Sequence, residues 1–324
     1  MILIGTENGI YSWDERTGLL SDNELAGSNI VQLSSSRNLA FALDITGQVF
    51  SKQAGVDWRE VSTNSVAEVT RSLFAHPGTG TLYLGTEPPR LYRLTETGWI
   101  LVADLMALDG SGDWYTPYGA PPAVRSFSSS DGDTFYLSIH VGGVLKTIDA
   151  GRSWAPINVG LDLDVHQITT MRQQPSIICA ATATGFAFSE NQGASWITLN
   201  EGLENLYTRA LAVHPDHPEV ILISGSRFMP DDWEEKGKWF SLFRSIDKGK
   251  NWKKVTSGFP EYLDSEIDTQ HIDFSQEFPN SVLCGARSGS LYASKDGGAS
   301  WSIVSNGLPP INALAFCRSK IDEC

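Results

Sequence analysis

Short apolar runs that alternate with polar residues recur along the chain, separated by turn-forming Pro, Gly and Asp residues. The clearest unit reads TRALAVHPDHPEVILISG from Thr208 and continues as SLFRSIDKGKNWKKV from Ser241. Alternation with a period of two, broken by turns, is typical of antiparallel strands. Each unit therefore predicts four short strands, which we call A to D from the innermost to the outermost.

A motif of eight residues recurs within these units: a hydroxyl residue, Asp, Gly, a second hydroxyl residue and Trp at fixed spacing. Four copies are clear, namely TIDAGRSW at 147–154, SENQGASW at 189–196, SIDKGKNW at 245–252 and SKDGGASW at 294–301. Looser copies end at Trp58 and Trp99, and another at 11–20 lacks the terminal Trp. Four copies cannot all form one catalytic centre, so the pattern predicts a repeat protein.

The spacing of the tryptophans indicates the kind of repeat. Trp58, Trp99, Trp154, Trp196, Trp252 and Trp301 follow one another at intervals of roughly 40 to 55 residues, as four-stranded propeller blades do. Six blades are complete, and the chain begins at a B strand, ILIGT, and ends with an A strand at 311–317. Pairing the two ends closes a ring without exposed edges. We therefore predict an all-β, seven-bladed β-propeller that forms a single domain over 1–324.

With these residues in view, the four clear copies resemble the Asp-box, or BNR, repeat of sialidases, sortilin-type receptors and photosystem-assembly propellers. Two copies match the pattern fully, while Asn191 replaces the Asp in one and Asn251 replaces the second hydroxyl in another. The resemblance implies a β-propeller with each box at a C to D hairpin. It implies no single function, because enzymes and binding proteins share the repeat.

The box residues are predicted to be structural. Asp149 can accept bonds from turn N–H groups, Gly151 permits a positive φ, and Trp154 can pack between sheets. The same roles are expected of Asn191, Gly193, Trp196, Asp247, Gly249, Trp252, Asp296, Gly298 and Trp301. A Ca²⁺ or sugar site at the boxes is the alternative to this scaffold role, and we predict no metal site and no cofactor.

Two insertions, about 104–123 after a D strand and 226–240 between B and C strands, fall on the face opposite the boxes. Long loops on a rigid scaffold often carry binding sites. The candidate ligand-binding aromatic residues are Trp114, Tyr115 and Trp233, and the same loops bring Tyr118, Phe228 and Trp239. These aromatics either stack on a sugar or partner, or fold the loops onto the rim.

The innermost strands offer a second candidate site. Aligning TRSLFA, VRSFSS and TRALAV places Arg71, Arg125 and Arg209 at one repeat position, where other blades have Val31, His166, Gln270 and Asn312. Converging guanidinium groups would form an anion site at one mouth of the channel, with His166, Gln270 and His271 beside it. Alternatively, each Arg pairs with a neighbouring carboxylate. His140, His166 and His271 are candidate acid–base groups.

An arginine triad in an Asp-box propeller prompts a comparison with sialidases, which fails on three points. The sequence has no Arg-Ile-Pro motif near its start, the ring count is seven rather than six, and no nucleophilic Tyr with a partner Glu is identifiable. Sialidase activity is therefore not the leading expectation.

Composition excludes some partners. With 24 Lys plus Arg against 38 Asp plus Glu, the net charge of −14 argues against nucleic-acid binding. No apolar run is long enough to span a membrane, and the start has no signal-peptide pattern. Together with cysteines in apolar strand-like runs, these features predict a cytoplasmic protein.

The sequence thus favours a non-enzymatic binding or assembly propeller that holds a protein partner or an anionic ligand on the insertion-bearing face. The alternative is a carbohydrate-active or other small-anion enzyme, glycosidase-like, with the arginines orienting its substrate at the channel mouth. The pattern leaves the ligand, the catalytic residues and the oligomeric state open.

Overall fold

The fold is built entirely around antiparallel strands whose order follows the chain. The computed structural model describes residues 1–36, 38–61, 66–116, 119–131 and 133–317, and Tyr118 of the first insertion lies outside the described residues. The chain begins with β1 (Ile2–Thr6) and β2 (Gly9–Trp13), which pair with each other. Six four-stranded sheets follow, each in strict sequence order from the channel outward.

The six sheets are numbered as blades 1 to 6. Blade 1 contains β3 (Ile30–Ser36), β4 (Leu39–Asp44), β5 (Val49–Gln53) and β6 (Arg59–Glu60). Blade 2 contains β7 (Val69–Ala75), β8 (Leu82–Glu87), β9 (Arg90–Thr95) and β10 (Gly98–Asp104). Blade 3 contains β11 (Val124–Asp131), β12 (Thr134–Ile139), β13 (Gly143–Thr147) and β14 (Ala155–Pro156).

Blade 4 contains β15 (Val165–Met171), β16 (Gln174–Thr182), β17 (Gly185–Ser189) and β18 (Ile197–Thr198). Blade 5 contains β19 (Tyr207–Val213), β20 (Ile221–Ser226), β21 (Phe240–Ser245) and β22 (Lys253–Lys254). Blade 6 contains β23 (Ile272–Phe274), β24 (Val282–Gly285), β25 (Leu291–Ser294) and β26 (Ser302–Ser305).

Blade 7 joins the two ends of the chain. The last strand, β27 (Ile311–Phe316), pairs antiparallel with β1, with Leu3 opposite Ala315. Single bridges from Glu24 and Leu20 to β2 take the place of a regular outermost strand in this blade. The first strands of successive blades contact one another around the ring, and β27 contacts both β23 and β3. The predicted seven-bladed ring, closed by the C-terminal strand, is confirmed.

The core is divided among the blade interfaces. Buried apolar side chains form seven clusters among the described residues, one between each pair of neighbouring blades. The tryptophans of the four motifs each enter the cluster shared with the preceding blade, as Trp252 does where it meets Phe186 edge to face. Burial of large aromatic side chains therefore holds the blades side by side.

The four motif turns share one set of hydrogen bonds. In the first, Asp149 Oδ1 accepts the Ser153 N–H at 2.9 Å and Thr147 Oγ1 accepts the Gly151 N–H at 2.9 Å. Hydrogen bonds from the Ser153 side chain and backbone lower the pKa of Asp149 to about 2. Gly151 has φ +87°. Asn191 accepts the equivalent Ser195 N–H at 3.0 Å, so the amide replaces the carboxylate in this turn.

Among the described residues, helical structure occurs only in the two long insertions. The first contains two 3-10 turns, at Leu105–Ala107 and Ser111–Asp113. The second contains a 3-10 turn at Pro230–Asp232 followed by the short helix α1 (Trp233–Lys236). Because neighbouring strands alternate in direction, connections from β10 to β11 and from β20 to β21 emerge on one face, and the C to D turns emerge on the other.

Candidate functional site

A polar cavity of about 420 Å³ lies where the central channel meets the insertion-bearing face. We call it the channel mouth. Its lining residues lie mainly at the ends of the inner strands and in the connections next to them. They include Arg71, Glu87, Arg125, His140, Asp268 and His271.

A repeated irregularity in the inner strands positions the residues around the mouth. In six blades the register between the first two strands shifts near this face, and the residues aligned from the sequence lie at the shift: Val31, Arg71, Arg125, His166, Arg209 and Asn312. A β-bulge leaves a residue out of the strand pairing and redirects its side chain. The position that the repeats share in sequence is thus the site of a register shift in each of these six blades.

Two of the three predicted arginines meet at one carboxylate. Asp268, in the connection before β23, accepts two bonds from Arg209, at 2.8 Å from Nε and 2.5 Å from Nη2. Arg125 Nη2 lies 3.7 Å from Asp268 Oδ1, the oxygen that also accepts the Arg209 Nε–H. Tyr207 accepts a further bond from Arg209 Nη1 at 3.2 Å. Blades 3, 5 and 6 are therefore joined by one charged cluster.

The charges in this cluster set each other's protonation. Burial disfavours the ionised carboxylate of Asp268, but Arg209 and Arg125 outweigh burial and hold its pKa well below the usual range. Burial and the like charge of Arg209 lower the pKa of Arg125. The cluster consequently holds an ionised carboxylate between two cations, and no proton on Asp268 is available near neutral pH.

Arg71 lines the same cavity but has its own partner. Its Nε lies 2.7 Å from Glu87 Oε2 on the neighbouring strand of blade 2. Arg287, which also lines the mouth, is bonded to Asn312 and lies 3.1 Å from Glu7. The three predicted arginines thus share one region of the channel without forming an open ring of cations, because each faces a carboxylate.

A second cluster lies beside Arg125 and contains two histidines. Asp164 Oδ1 is 3.4 Å from His166 Nε2 and 3.6 Å from His140 Nε2. His166 Nδ1 lies 2.5 Å from the Thr208 carbonyl and must donate to it, so Nε2 of neutral His166 faces the carboxylate without a proton. Burial lowers the pKa of both histidines to about 4.

The carboxyl group of this cluster is also ionised. Burial favours the neutral form of Asp164, but His166, His140 and Arg125 outweigh it and lower its pKa to about 2. His166 Nε2 and Asp164 Oδ1 are buried and lack a hydrogen-bond partner among the described residues. A group with two N–H or O–H donors that lay beside the pair would satisfy both atoms.

His271 and Gln270 are adjacent in sequence and serve different cavities. His271 is buried in the wall of the channel mouth, where burial lowers its pKa to about 4. Gln270 has φ +63° and lines the larger cavity deeper in the channel. Its backbone N–H donates to Gln167 Oε1 at 3.2 Å, and its carbonyl accepts the Leu314 N–H at 2.7 Å. Because Gln270 has a positive φ, Gln270 and His271 line different cavities although they are adjacent in sequence.

Trp233 connects the second insertion to the charged cluster. Its indole N–H donates to the Phe228 carbonyl at 2.9 Å, and its ring meets Phe240 edge to face. The same ring meets Tyr207 edge to face at 6.0 Å, and Tyr207 bonds Arg209. Trp233 thus orders the insertion and supports the mouth, with its ring engaged inside the protein.

The aromatic residues of the first insertion differ in exposure. Trp114 is half-buried and packs against the cluster shared by blades 2 and 3. The ring of Tyr115 is 64% exposed and is directed to solvent. Tyr115 is therefore the member of this pair that is open to a partner.

A smaller cavity of about 330 Å³ lies on the rim of the insertion-bearing face, and we call it the rim pocket. Trp239 and Tyr262 stack within it at 4.2 Å with their planes 7° apart. The guanidinium of Arg227 lies 5.7 Å from the Trp239 ring. Glu204 and Lys254 pair at 2.7 Å on its edge. The pocket presents aromatic surface next to a cation.

Sequence reasoning missed the carboxylates at the mouth and the composition of the rim pocket. Asp268 and Asp164 lie in connections just before inner strands, where an acidic residue is indistinguishable from one that simply faces solvent. Tyr262 belongs to a third connection, which runs over 255–271 between blades 5 and 6 and has no repeat signature. Only the folded ring brings Tyr262 against Trp239.

Two further features concern metals and membranes. Within the described part of the chain, no group of three or more His, Cys, Asp or Glu side chains is arranged to hold a metal ion. None of the helices in the described ranges has the length and apolar character needed to cross a bilayer.

These features define a seven-bladed β-propeller with a charged channel mouth and an aromatic rim pocket on one face. No protein-family model and no curated protein matches the sequence. Among solved structures, one described as YCF48 bound to D1 peptide is similar, with 17% identity and a TM-score of 0.56 over 85% of this chain and 82% of that chain. YCF48 from Cyanidioschyzon merolae has 14% identity and a TM-score of 0.59 over 86% of each chain.

Similarity also extends to a class of enzymes. A GH74 enzyme of Niastella koreensis has 16% identity and a TM-score of 0.67, and covers 94% of this chain and 52% of its own. The GH74 xyloglucanase of Xanthomonas campestris has 17% identity and a TM-score of 0.65 with the same coverage. This chain therefore spans about half the length of those enzymes. At such identities the similarity shows the fold alone.

Proposed function

We propose that this protein is a non-enzymatic binding propeller that holds a protein partner on its insertion-bearing face, with the rim pocket as the anchor. The stacked pair of Trp239 and Tyr262 beside Arg227 is the observation that supports this proposal most directly. Aromatic and arginine side chains in a pocket are the usual anchors of protein interfaces. Tyr262 is 47% exposed, so it is accessible to a partner.

The chemistry of the rim pocket favours an acidic segment of the partner. Arg227 has no ion pair or side-chain hydrogen bond among the described residues, while its guanidinium lies over Phe228 and Trp239. An exposed guanidinium held by aromatic rings is oriented to bind a carboxylate with two parallel hydrogen bonds. Trp239 adopts φ +47°, a conformation uncommon for a non-glycine residue, and strained residues cluster at binding sites.

The channel mouth argues against a glycosidase reaction. Such a reaction requires one carboxylic acid that is protonated at working pH to donate to the leaving group. At the mouth, Asp268 is bound by two arginines and Glu87 by Arg71. The pKa of Asp268 is lowered rather than raised, because Arg209 and Arg125 outweigh burial. These carboxylates act as counterions in our proposal.

A solved structural neighbour adds support for peptide binding, since YCF48 is described in complex with D1 peptide. We also propose that the four motif turns belong to the Asp-box type, supported by their shared hydrogen bonds. The buried free thiols of Cys179 and Cys284 support the predicted cytoplasmic setting.

A second candidate function rests on the size and lining of the channel mouth. A cavity of about 420 Å³ that contains Arg71, Arg125 and His271 has room for one sugar or another small anion. A ligand carboxylate would compete with Asp268 for Arg125, which lies at the longer distance of 3.7 Å. In this alternative the protein is a small-anion enzyme with Arg125 orienting the substrate.

Recovery of a partner by variants of the rim pocket tests the leading proposal. The tagged full chain is expressed in its source cells, crosslinked and purified, and the attached proteins are quantified for the parent, Arg227→Ala and Tyr262→Ala. Ile148→Ser is the matched control, because Ile148 is 69% exposed in a turn on the opposite face. We expect a partner recovered with the parent and the control to fall roughly tenfold with either rim variant, as loss of an anchor predicts.

An attached set that is the same for all four proteins, each shown to be folded by circular dichroism, would contradict the proposal. Turnover of a sialoside or uronide by the parent, abolished in Arg125→Ala, would favour the second candidate instead.

A further inference from the structure

A cavity larger than the channel mouth lies in the channel between the mouth and the Asp-box face. It has a volume of about 720 Å³ and reaches the A to B turns of several blades, at Pro77, Pro215 and Pro218. Gln167 of blade 4 bonds the Leu211 backbone and the Gln270 N–H, and so fixes the packing of blades 4, 5 and 6 along its wall. We call this cavity the channel chamber.

The wall of the chamber is rich in hydrogen-bonding groups and poor in charge. Its hydroxyl groups come from Ser35, Ser36, Ser128, Ser129, Thr169 and Thr170. Asp273 is the only carboxylate among the described residues that line it, and Arg172 is the only Lys or Arg. Arg172 Nη1 donates to Gln276 Oε1 at 2.5 Å, so this cation is engaged with an amide.

Asp273 has no counterion within the described ranges, in contrast to Asp268 at the mouth. One oxygen of Asp273 accepts the Phe316 N–H of β27 at 2.6 Å, and no ion pair involves the carboxylate among the described residues. Burial raises the pKa of Asp273 to about 7, and only the backbone N–H groups of Phe316 and Phe274 oppose the shift. Arg172, His76 and His214 are the other ionisable groups that line the chamber, and none contributes to the shift.

We infer that the channel chamber is a binding site for an organic cation that carries a primary ammonium or guanidinium group, with Asp273 as its counterion. A cation supplies the opposite charge that the half-buried carboxylate lacks and donates to the surrounding hydroxyl oxygens. Gln270 lines the same wall, and its buried side-chain oxygen has no hydrogen-bond partner among the described residues. The chamber is larger than a lysine or arginine side chain, so such a group has room to enter.

This site is independent of the proposed partner surface, because it opens toward the Asp-box face and shares no residue with the rim pocket. Failure of one proposal therefore leaves the other standing. The ligand is either a small free amine or the basic side chain of a protein, and both offer the same charged donor.

Isothermal titration of the full chain with n-butylammonium at pH 8 tests the inference, with n-butanol as the uncharged match. A peptide with one lysine between glycines tests the protein side chain as the source. Asp273→Asn removes the charge while its amide oxygen still accepts the Phe316 N–H. Asp216→Asn is the matched control, since Asp216 is exposed in an A to B turn next to Pro215, which lines the chamber.

We expect n-butylammonium to bind the parent and Asp216→Asn equally, to bind Asp273→Asn at least roughly tenfold more weakly, and n-butanol not to bind. Binding to the parent should also weaken roughly tenfold or more between pH 8 and pH 5.5, as a carboxylate titrating near 7 requires, while the amine remains charged. A tighter peptide would identify a basic side chain as the source. Equal binding to Asp273→Asn and the parent, binding unchanged at pH 5.5, or no binding to the folded parent would overturn the inference.

Discussion

At the scale of single residues, Asp268 determines whether the channel mouth is stable. Arg209 is 7% exposed and depends on this carboxylate for two hydrogen bonds, and Arg125 lies near it as well. Removing one partner of a buried ion pair destabilises the fold more than replacing both partners by apolar residues, because the remaining charge stays buried without compensation. The three blades that meet at Asp268 share this dependence.

Asp268→Asn should therefore lower the free energy of unfolding by about 3 kcal/mol at pH 7, measured by urea denaturation. Glu87→Gln is the matched control: its partner Arg71 is 48% exposed, so a loss of at most about 1 kcal/mol is expected. Equal losses in the free energy of unfolding would show that Asp268 contributes no more to stability than Glu87 does.

The pH dependence of the same variant has a defined sign. The pKa of Asp268 is lowered in the folded protein, because Arg209 and Arg125 outweigh burial, so its ionisation stabilises the fold above the ordinary value of 3.8. This contribution is lost as pH falls below that value. The difference in stability between parent and Asp268→Asn should consequently shrink from about pH 4 downward.

At the scale of structural elements, the glycines that follow the outermost strands of blades 3, 4 and 5 pack closely against the next blade. Gly160, Gly202 and Gly258 lie against the carbonyl oxygens of Trp196, Trp252 and Trp301, and a Cβ on Gly258 would be 1.8 Å from that oxygen. The Trp301 N–H also donates to the Ser257 carbonyl at 2.9 Å. Trp196, Trp252 and Trp301 are thus held by their rings in the core and by their backbones at the connection.

Gly258→Ala should destabilise the propeller by about 3 kcal/mol or more, because the methyl group meets backbone and φ is +71°. Gly80→Ala isolates the conformational part, since Gly80 has φ +77° with nothing within 4 Å of its Cβ position. A loss of about 1 kcal/mol is expected there. Similar melting temperatures for the two variants would mean that the contact with Trp301 contributes little.

The sequence predicted these elements well because their periodicity and turn chemistry are local. The motif spacing located the C to D hairpins, and the repeat position occupied by Arg71 proved to be a bulge. Partners across the ring were not predictable, since Asp268 meets Arg209 over 59 residues and Asp273 meets Phe316 over 43. No periodic signal links such positions. The ion pairing of the arginines, which the sequence left open, depends on these distant contacts.

At the scale of the whole molecule, the net charge of −14 does not show that the three cavities differ in how their charges are compensated. Cations and carboxylates compensate each other at the channel mouth, whereas within the described part of the chain neither Arg227 at the rim pocket nor Asp273 in the channel chamber makes an ion pair. A charge held away from water without a partner costs stability, and a ligand of opposite charge removes that cost at Asp273. Arg227 is exposed, so at the rim pocket the guanidinium offers its hydrogen-bond donors directly to a partner.

Closure of the ring by β27 makes the stability of every blade depend on the two ends of the chain. Ala313 is fully buried opposite Gly5 of β1, within the cluster shared by blades 7 and 1. Ala313→Asp places an unpaired charge in that interface and should lower the free energy of unfolding by about 3 kcal/mol or more. Ser302→Asp, on the exposed outer strand of blade 6, should change it by at most about 0.5 kcal/mol. Urea unfolding followed by both tryptophan fluorescence and far-ultraviolet circular dichroism measures these changes. The two signals should move together, because opening the ring exposes the apolar faces of blades 7 and 1. An Ala313→Asp variant as stable as Ser302→Asp would mean that the blades hold together without the closure.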